Sequence, residues 1–223
     1  MTNKGVSGRT ILCMYSGGID STGVLHQLLT DEMYKNIKLI VHHIHIVNRE
    51  NRARAEAQAV SSILKYYKDN KDNLFSSFLY TESIFNTTGF APLGSNRFPF
   101  DMDVCAFYAG NICAAREDIN YVAMGRTKTD LEGTDQSFSL RMDRAQKIFK
   151  SVLSLEKRDS LPEYIFPMVS YSKKQIWNLL PKQVRGNTWW CRRPVYLEDR
   201  TIPCGKCETC QTVKGFVKQE PEF

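Results

Sequence analysis

A short stretch near the N-terminus, YSGGIDSTG, has the residue types of a phosphate-binding loop. Gly17 and Gly18 would let backbone amides approach an oxyanion closely, and the dipole of a following helix would favour its negative charge. Ser16 and Ser21 add hydroxyl donors that suit phosphate oxygens. The carboxylate of Asp20 would repel phosphate, unless it caps the helix or helps to hold a magnesium ion. The pattern predicts a phosphate site, and a tight turn with a capping serine is the alternative.

Two other phosphate loops do not fit this stretch. The GxxxxGK(S/T) loop needs a lysine directly before its final hydroxyl residue, and here Asp20 precedes Ser21. The GxGxxG pattern is absent as well. A phosphate loop of another kind is therefore predicted.

A second group of residues with metal chemistry lies near the C-terminus, where four of the seven cysteines fall within the last 33 residues. The tract CGKCETC has successive CxxC spacings, and a fourth cysteine stands thirteen residues earlier. Four thiolates form a closed, structural zinc site, although four cysteines also hold iron–sulfur clusters. Zinc is favoured because the tract resembles a knuckle with Gly205 at its turn, and disulfides are the third option. The predicted ligands are Cys191, Cys204, Cys207 and Cys210.

The elements that must position these residues alternate between strand and helix from residue 10 to about residue 180. Apolar and β-branched runs predict the strands, and apolar residues at helical intervals predict the helices. The first helix, which follows Asp20 or Ser21 as its cap, should bury Val24, Leu25, Leu28 and Leu29. The predicted strands are 10–15, 37–47, 74–81, 121–125 and a short one before Ser172, and the further helices are 52–67, 104–116, 143–155 and one starting near Ser172.

This alternation predicts an α/β fold, a doubly wound parallel sheet with helices on both faces. Ligands bind such sheets at the carboxyl ends of the strands, which is where residues 16–21 would lie. We assign residues 1–180 to this domain and residues 181–223 to a small C-terminal extension that binds zinc. The Gly- and Pro-rich segment 86–101 is predicted to be a loop, either a binding segment or lid or a plain connector.

The composition is that of a globular protein, with 42% hydrophobic and 24% charged residues among 223. Thirty basic and 24 acidic residues give a net charge of +6, which suits an anionic substrate or RNA, but no basic run stands out. No apolar run approaches the roughly 18 residues of a membrane span, and the N-terminus lacks the apolar segment of a signal peptide. We therefore expect a cytoplasmic protein that uses no membrane and requires no nucleic acid.

The stretch SGGIDS resembles the pyrophosphate loop, SGGxDS, of the PP-loop ATP pyrophosphatases. These enzymes cleave ATP between the α and β phosphates and activate a substrate as its adenylate. The resemblance implies an adenine nucleotide alpha hydrolase-like fold and catalytic roles for Ser16, Asp20 and Ser21. It also implies that ATP binds along the loop residues Tyr15, Ser16, Gly17, Gly18, Ile19, Asp20, Ser21 and Thr22.

Within that group, the chain resembles the 7-cyano-7-deazaguanine synthase family. The C-terminal tail, TWWC followed by CGKCETC, is similar to that family's TWSC followed by CGxCxxC. The stretch MGRTKTDLEG is similar to the family's G-x-x-x-x-D-x-x-G motif at the end of a strand. YSKKQI resembles its (S/T)-K-x-x-I helix start. Segments 98–111 and 134–146 depart from the family pattern near where the substrate ring should bind. The matched positions are Gly125, Asp130, Gly133, Ser172, Lys173, Ile176, Thr188 and Cys191.

The resemblance implies that 7-carboxy-7-deazaguanine, ATP and ammonia are converted to the amide and then to the nitrile. The expected co-substrate is ATP with magnesium, and the expected metal is one structural zinc ion per chain. A homodimer is a possible assembly that the sequence does not decide. Gly125 and Asp130 would bind nucleotide, and Lys173 would be a catalytic cation unless it is an ordinary surface lysine. The alternatives are a related PP-loop enzyme acting on another substrate, such as a tRNA base-modifying ligase or thiolase, and a non-catalytic nucleotide-binding zinc protein.

Overall fold

The computed structural model describes residues 6–93, 101–132, 136–153 and 160–217. Several sequence-based predictions lie wholly or partly outside these ranges. They are the match at Gly133, residues 94–100 of the predicted loop, the ends of the two departing segments at 98–100 and 134–135, residues 154–155 of the predicted helix 143–155, and parts of the two predicted domains.

A parallel sheet of five strands forms the centre of the described chain, in the order β3-β2-β1-β4-β5. Every neighbouring pair is parallel, and all five residues of β1 are buried. A strand covered on both faces needs such a continuous apolar run, which explains the sequence TILCM. The strands are β1 (Thr10–Met14), β2 (Lys38–Val47), β3 (Phe78–Asn86), β4 (Ile119–Ala123) and β5 (Glu163–Ile165).

Helices cover both faces of this sheet, as the strand–helix alternation predicts. One apolar core joins β1 to α1, α2, α6, α7 and α8, and a second core joins it to α3 and α5 on the opposite face. The predicted doubly wound α/β fold is therefore confirmed. The helices are α1 (Ile19–Thr30), α2 (Ala53–Asp69), α3 (Asp101–Ala115), α4 (Lys128–Glu132), α5 (Gln136–Leu153), α6 (Lys173–Leu179), α7 (Lys182–Arg185) and α8 (Glu208–Val217).

The strand order reverses between β1 and β4, because the chain proceeds from β1 to β2 and β3 before crossing to β4 on the other side. In open α/β sheets, the crevice at such a switch point is where ligands bind. The stretch SGGIDS follows β1 and Gly125 follows β4. The fold thus brings both predicted segments to one crevice.

The third strand begins at Phe78, four residues later than predicted from the run starting at Leu74. The Ser76 hydroxyl accepts a bond from the Ile37 amide and donates one to the Tyr34 carbonyl, so it is tied to the turn before β2. The Phe75 amide donates to the carbonyl at the end of α1. Residues 74–77 therefore close a turn, and the ladder starts after them.

The C-terminal segment carries a short antiparallel ribbon, β6 (Val195–Tyr196) with β7 (Thr201–Ile202), followed by α8. Val213 of α8 is buried in the same core as α1 and α6. The division at residue 180 stays a prediction. Among the described residues, no helix has both the length and the apolarity needed to cross a bilayer.

Candidate functional site

The loop between β1 and α1 is tightly enclosed. Gly17 has a φ of +73°, a conformation that L side chains rarely adopt. A Cβ atom at this position would lie 3.1 Å from the Cβ of Ala59 and from Cγ2 of Val60, both on α2. Glycine is therefore required here by backbone conformation and by space, and it brings the loop backbone close against α2.

The two loop serines converge on each other. Their hydroxyl oxygens are 3.1 Å apart, and the Ser21 hydroxyl also accepts a 3.3 Å bond from the Ser16 amide. Ser21 is buried, whereas Ser16 is exposed at the mouth of the loop. The Ser21 hydroxyl donates a 3.2 Å bond to the Gly18 carbonyl, so the exposed Ser16 hydroxyl is the one open to an anion at the start of the helix, where negative charge is stabilised.

The start of α1 carries no side-chain cap. Gly18 is the N-cap residue, and no side chain accepts a hydrogen bond from the first turn. The prediction that Asp20 or Ser21 caps the helix was wrong, because α1 begins at Ile19 and includes both residues. A helix start without a cap leaves backbone N–H groups available to a bound anion.

Asp20 pairs with Lys173, a residue 153 positions further along the chain. The Lys173 ammonium contacts Oδ2 of Asp20, and the two side chains are only 23% and 26% exposed. Burial raises the pKa of the Asp20 carboxyl, Lys173 opposes this shift, and the charge of Asp130 adds to it. The ion pair brings a cation to the phosphate loop.

The other oxygen of Asp20, Oδ1, is buried and has no hydrogen-bond partner among the residues that the structure describes. A carboxylate oxygen left in this state costs free energy unless a donor or a cation reaches it. Magnesium prefers oxygen ligands of this kind together with phosphate oxygens. The residues present therefore fit the magnesium ion that would accompany ATP, with Asp20 as its protein ligand.

Lys173 is held by the start of α6, where the predicted helix start is confirmed. The Ser172 hydroxyl accepts a hydrogen bond from the Gln175 amide, and the Gln175 side chain accepts one from the Ser172 amide. This reciprocal capping box fixes the first turn of the helix. Ile176 is fully buried against α1, which sets the helix orientation and directs Lys173 to the loop.

Gly125 lies against the phosphate loop from the β4 side. A Cβ atom there would come within 3.0 Å of the Ser21 amide nitrogen and 3.2 Å of the Asp20 carbonyl carbon. Asp130 lies near enough to raise the pKa of Asp20, and its Oδ2 accepts hydrogen bonds from the amide and hydroxyl of Thr127. The structure thus brings both residues to the loop, and Asp130 also orders the turn after β4.

Replacing Gly125 with alanine is expected to weaken nucleotide binding by tenfold or more, because the new methyl group must displace backbone atoms of the loop. Titration with a non-cleavable ATP analogue measures the effect. Gly89→Ala is the matched control, since a Cβ atom there meets nothing within 4 Å. Equal affinities in both variants would show that the loop does not form the nucleotide site.

His43 on β2 makes a contact to Tyr15, the first residue of the YSGGIDSTG stretch, that sequence reasoning did not predict. Its Nδ1 is 2.9 Å from the Tyr15 carbonyl oxygen, so this nitrogen carries the proton. His45 lies on the same face with its ring centroid 4.5 Å away, whereas His42 bonds to Thr81 on the other face. The register of β1 with β2 pairs Met14 with His42, which places the next residue of β2 beside Tyr15; this pairing is a property of the folded sheet and has no signal in the sequence.

His43 gives a pH-dependent contribution to stability. Burial lowers its pKa to about 4 from 6.5, so the unfolded chain takes up the proton first as the pH falls. Stability from this group should be present above about pH 6.5 and be lost progressively down to about pH 4. His43→Asn, which keeps a donor for Tyr15, should flatten the pH dependence of urea unfolding over this window. An unchanged slope would contradict the assignment.

The four predicted ligand cysteines form one centre. Their sulfur atoms all lie within 4.8 Å of one another, and Gly205 makes the turn between two of them with a φ of +69°. The Cys191 sulfur accepts hydrogen bonds from the amides of Arg193 and Cys204. Four sulfur donors held at this separation fit one tetrahedral metal ion.

A buried ion network, which sequence reasoning missed, lies beside this centre. Arg52 is 8% exposed and contacts Glu50, Glu56 and Asp101, so it ties the start of α2 to the start of α3. Burial raises the pKa of Glu56 to about 7, against the opposing charge of Arg52. The i,i+4 spacing of Arg52 and Glu56 on a predicted helix was the available signal.

Known proteins resemble this chain only in overall structure, and only distantly. No protein-family model matches the chain, and no curated protein matches it. Among solved structures, it is similar to the U34-tRNA thiolase NcsA from Methanococcus maripaludis with its 4Fe-4S cluster. The identity is 16% and the TM-score 0.48, over 97% of this chain and 68% of that chain. So distant a likeness transfers neither an activity nor a cofactor.

Proposed function

We propose that the chain is an ATP-dependent ligase that cleaves ATP between the α and β phosphates and adenylates the carboxylate of 7-carboxy-7-deazaguanine. The observation that supports this most strongly is the SGGIDS loop at the switch point, with the Asp20–Lys173 pair beside it. The tail motifs, Thr188–Cys191 and CGKCETC, support the choice of acid through their resemblance to the synthase family.

In this proposal the loop binds the leaving pyrophosphate. Backbone amides at the start of α1 and the exposed hydroxyl of Ser16 donate to its oxygens, and Ser21 positions Ser16 through their 3.1 Å contact. Lys173 faces the pyrophosphate from the side of α6. A magnesium ion held by Asp20 would neutralise further charge. Donors fixed before reaction stabilise the transition state without reorganisation, so catalysis rests on positioning and electrostatics.

Adenylation solves a problem of reactivity. A carboxylate is a poor electrophile, and attack of its oxygen on the α phosphate of ATP expels pyrophosphate and leaves a mixed anhydride whose acyl group no longer carries the carboxylate charge. Ammonia then displaces AMP from the carbonyl carbon and, with loss of a proton, gives the amide. A second ATP adenylates the amide oxygen with release of pyrophosphate, and loss of both nitrogen protons with departure of AMP forms the nitrile.

The departures from the family pattern at 98–111 and 134–146 leave a second candidate for the substrate. A related PP-loop enzyme, such as a tRNA base-modifying ligase or thiolase, would use the same loop on a different acceptor. The described parts of these segments belong to α3 and α5, on the face opposite α1 and α6. A change there can alter the acceptor while the ATP chemistry is kept.

Incubation with magnesium, ATP, ammonium and 7-carboxy-7-deazaguanine is expected to give AMP and pyrophosphate, with amide or nitrile accumulating. Chromatography identifies the nucleotide, mass spectrometry identifies the product, and Ser16→Ala serves as the impaired control. ADP as the main nucleotide would contradict the loop assignment, and no turnover with any acceptor would favour a non-catalytic protein. AMP formed regardless of the acid, with no nitrile, would favour the related ligases or thiolases.

We further propose that the four-cysteine centre holds one structural zinc ion per chain. The support is the closed set of four sulfur donors, which leaves no ligand position for substrate. An iron–sulfur cluster is the competing occupant, and elemental analysis distinguishes the two.

A further inference from the structure

One short segment, residues 188–193, carries both a predicted metal ligand and a direct contact to the phosphate loop. The Trp189 backbone amide donates a 2.9 Å hydrogen bond to the Gly17 carbonyl. The indole Nε1–H of the same tryptophan donates a 2.9 Å bond to the carbonyl of Cys191. A continuous path therefore runs from a cysteine of the centre, through Trp189, to the turn of the loop.

The loop has little room to move away from this contact. On the other side of Gly17, the backbone lies against Ala59 and Val60 of α2. A Cβ atom added to Gly18 would lie 3.4 Å from the Trp189 carbonyl oxygen. Because packed interiors transmit small displacements, a shift of Trp189 must move the loop.

The same segment is also anchored to the turn after β2 and to the start of α3. Arg192 contacts Glu50 after β2 and Asp101 at the start of α3. Further along, the Tyr196 hydroxyl donates to the Asn51 carbonyl. Ordering the segment by metal ligation at Cys191 thus fixes it against three of the loops that surround the crevice.

We propose that the four-cysteine centre is energetically coupled to nucleotide binding, with Trp189 as the positioning residue that carries the coupling. The inference rests on the proposed binding of ATP at the SGGIDS loop. Metal ligation orders Trp189, which holds the Gly17 carbonyl in the orientation that presents the loop amides to phosphate. Coupling between two binding sites is reciprocal, so bound nucleotide must tighten metal binding by the same factor.

The test measures this factor in both directions. Zinc affinity of the zinc-loaded protein is determined by competition with a chromogenic chelator, with and without saturating magnesium α,β-methylene-ATP. The affinity of the analogue is measured by calorimetry on zinc-loaded and zinc-depleted protein. In the wild type we expect each ligand to raise the affinity of the other about fivefold or more, which is the lower range for allosteric coupling.

Trp189→Phe removes the indole hydrogen bond to the Cys191 carbonyl but keeps an aromatic ring at this position. This variant should bring the coupling factor between zinc and nucleotide close to one. Trp190→Phe is the matched control, because Trp190 packs against the ring of Trp177, 5.9 Å between centroids, on the core side. This control should retain the wild-type factor. A Trp189→Phe protein that binds both ligands with undiminished coupling would overturn the role of this residue.

Hydrogen exchange on the wild type gives a second readout that needs no variant. Removing zinc should increase deuterium uptake in the peptide covering residues 15–22, while residues 74–78 at the opposite end of the sheet stay unchanged. Analogue binding without any effect on zinc affinity or on loop exchange would overturn the coupling alone. No analogue binding by the zinc-loaded wild type would overturn the proposed function and, with it, this inference.

Discussion

Asp20→Asn is expected to lower the rate of ATP cleavage by about tenfold to a thousandfold, the range found when one preorganised electrostatic group is lost. The substitution keeps the shape of the side chain but removes the charge that holds Lys173 and would hold magnesium. Lys173→Met should cause a loss of similar order, since it leaves a carboxylate that is largely buried without its cation. Initial rates of AMP release measure both effects.

The neighbouring lysine supplies the control for this experiment. Lys174 is exposed on α6, and Lys174→Met should retain the wild-type rate. The double variant Asp20→Asn/Lys173→Met should lose less than the product of the two single losses, because the residues act as a pair. Wild-type rates in Asp20→Asn would mean that the loop is only a turn.

Cys207→Ser is expected to abolish stoichiometric metal binding and to lower the unfolding temperature. Metal affinity at such a centre contributes directly to the folding free energy of the segment that holds it. Elemental analysis should give one zinc per wild-type chain and much less than one in the variant. Cys105→Ser, outside the centre, should keep its metal. Iron in the native protein, or no metal at all, would contradict the zinc assignment.

The parts of the site that were predictable from the sequence are local ones. The run TILCM, the two adjacent glycines and the CxxC spacings each specify their structure over a few residues, so the first strand, the loop and the tail turn could be placed. The parallel sheet with helices on both faces followed from the alternation of strands and helices, whereas the order of the strands was not predicted. The helix start at Ser172 had its own capping signature.

The remaining features depend on contacts between distant parts of the chain. No periodicity in the sequence links Asp20 to Lys173, and the contact exists only because α6 packs on α1. The start of β3 was misplaced because Ser76 bonds to the turn before β2, which a propensity argument does not include. The contact of Arg52 with Asp101 is of the same kind, since Asp101 lies at the start of α3, whereas the i,i+4 spacing of Arg52 and Glu56 was a local signal that was overlooked.

The two apolar cores on opposite faces of the sheet have an evolutionary consequence. The groups proposed to bind ATP come from the loop after β1 and from α6, which belong to one core. The segments that depart from the family pattern fall partly on α3 and α5, which belong to the other core. Substitutions in one layer therefore leave the packing of the other largely intact. The layer of α3 and α5 can therefore diverge in sequence while the layer proposed to bind ATP keeps its packing.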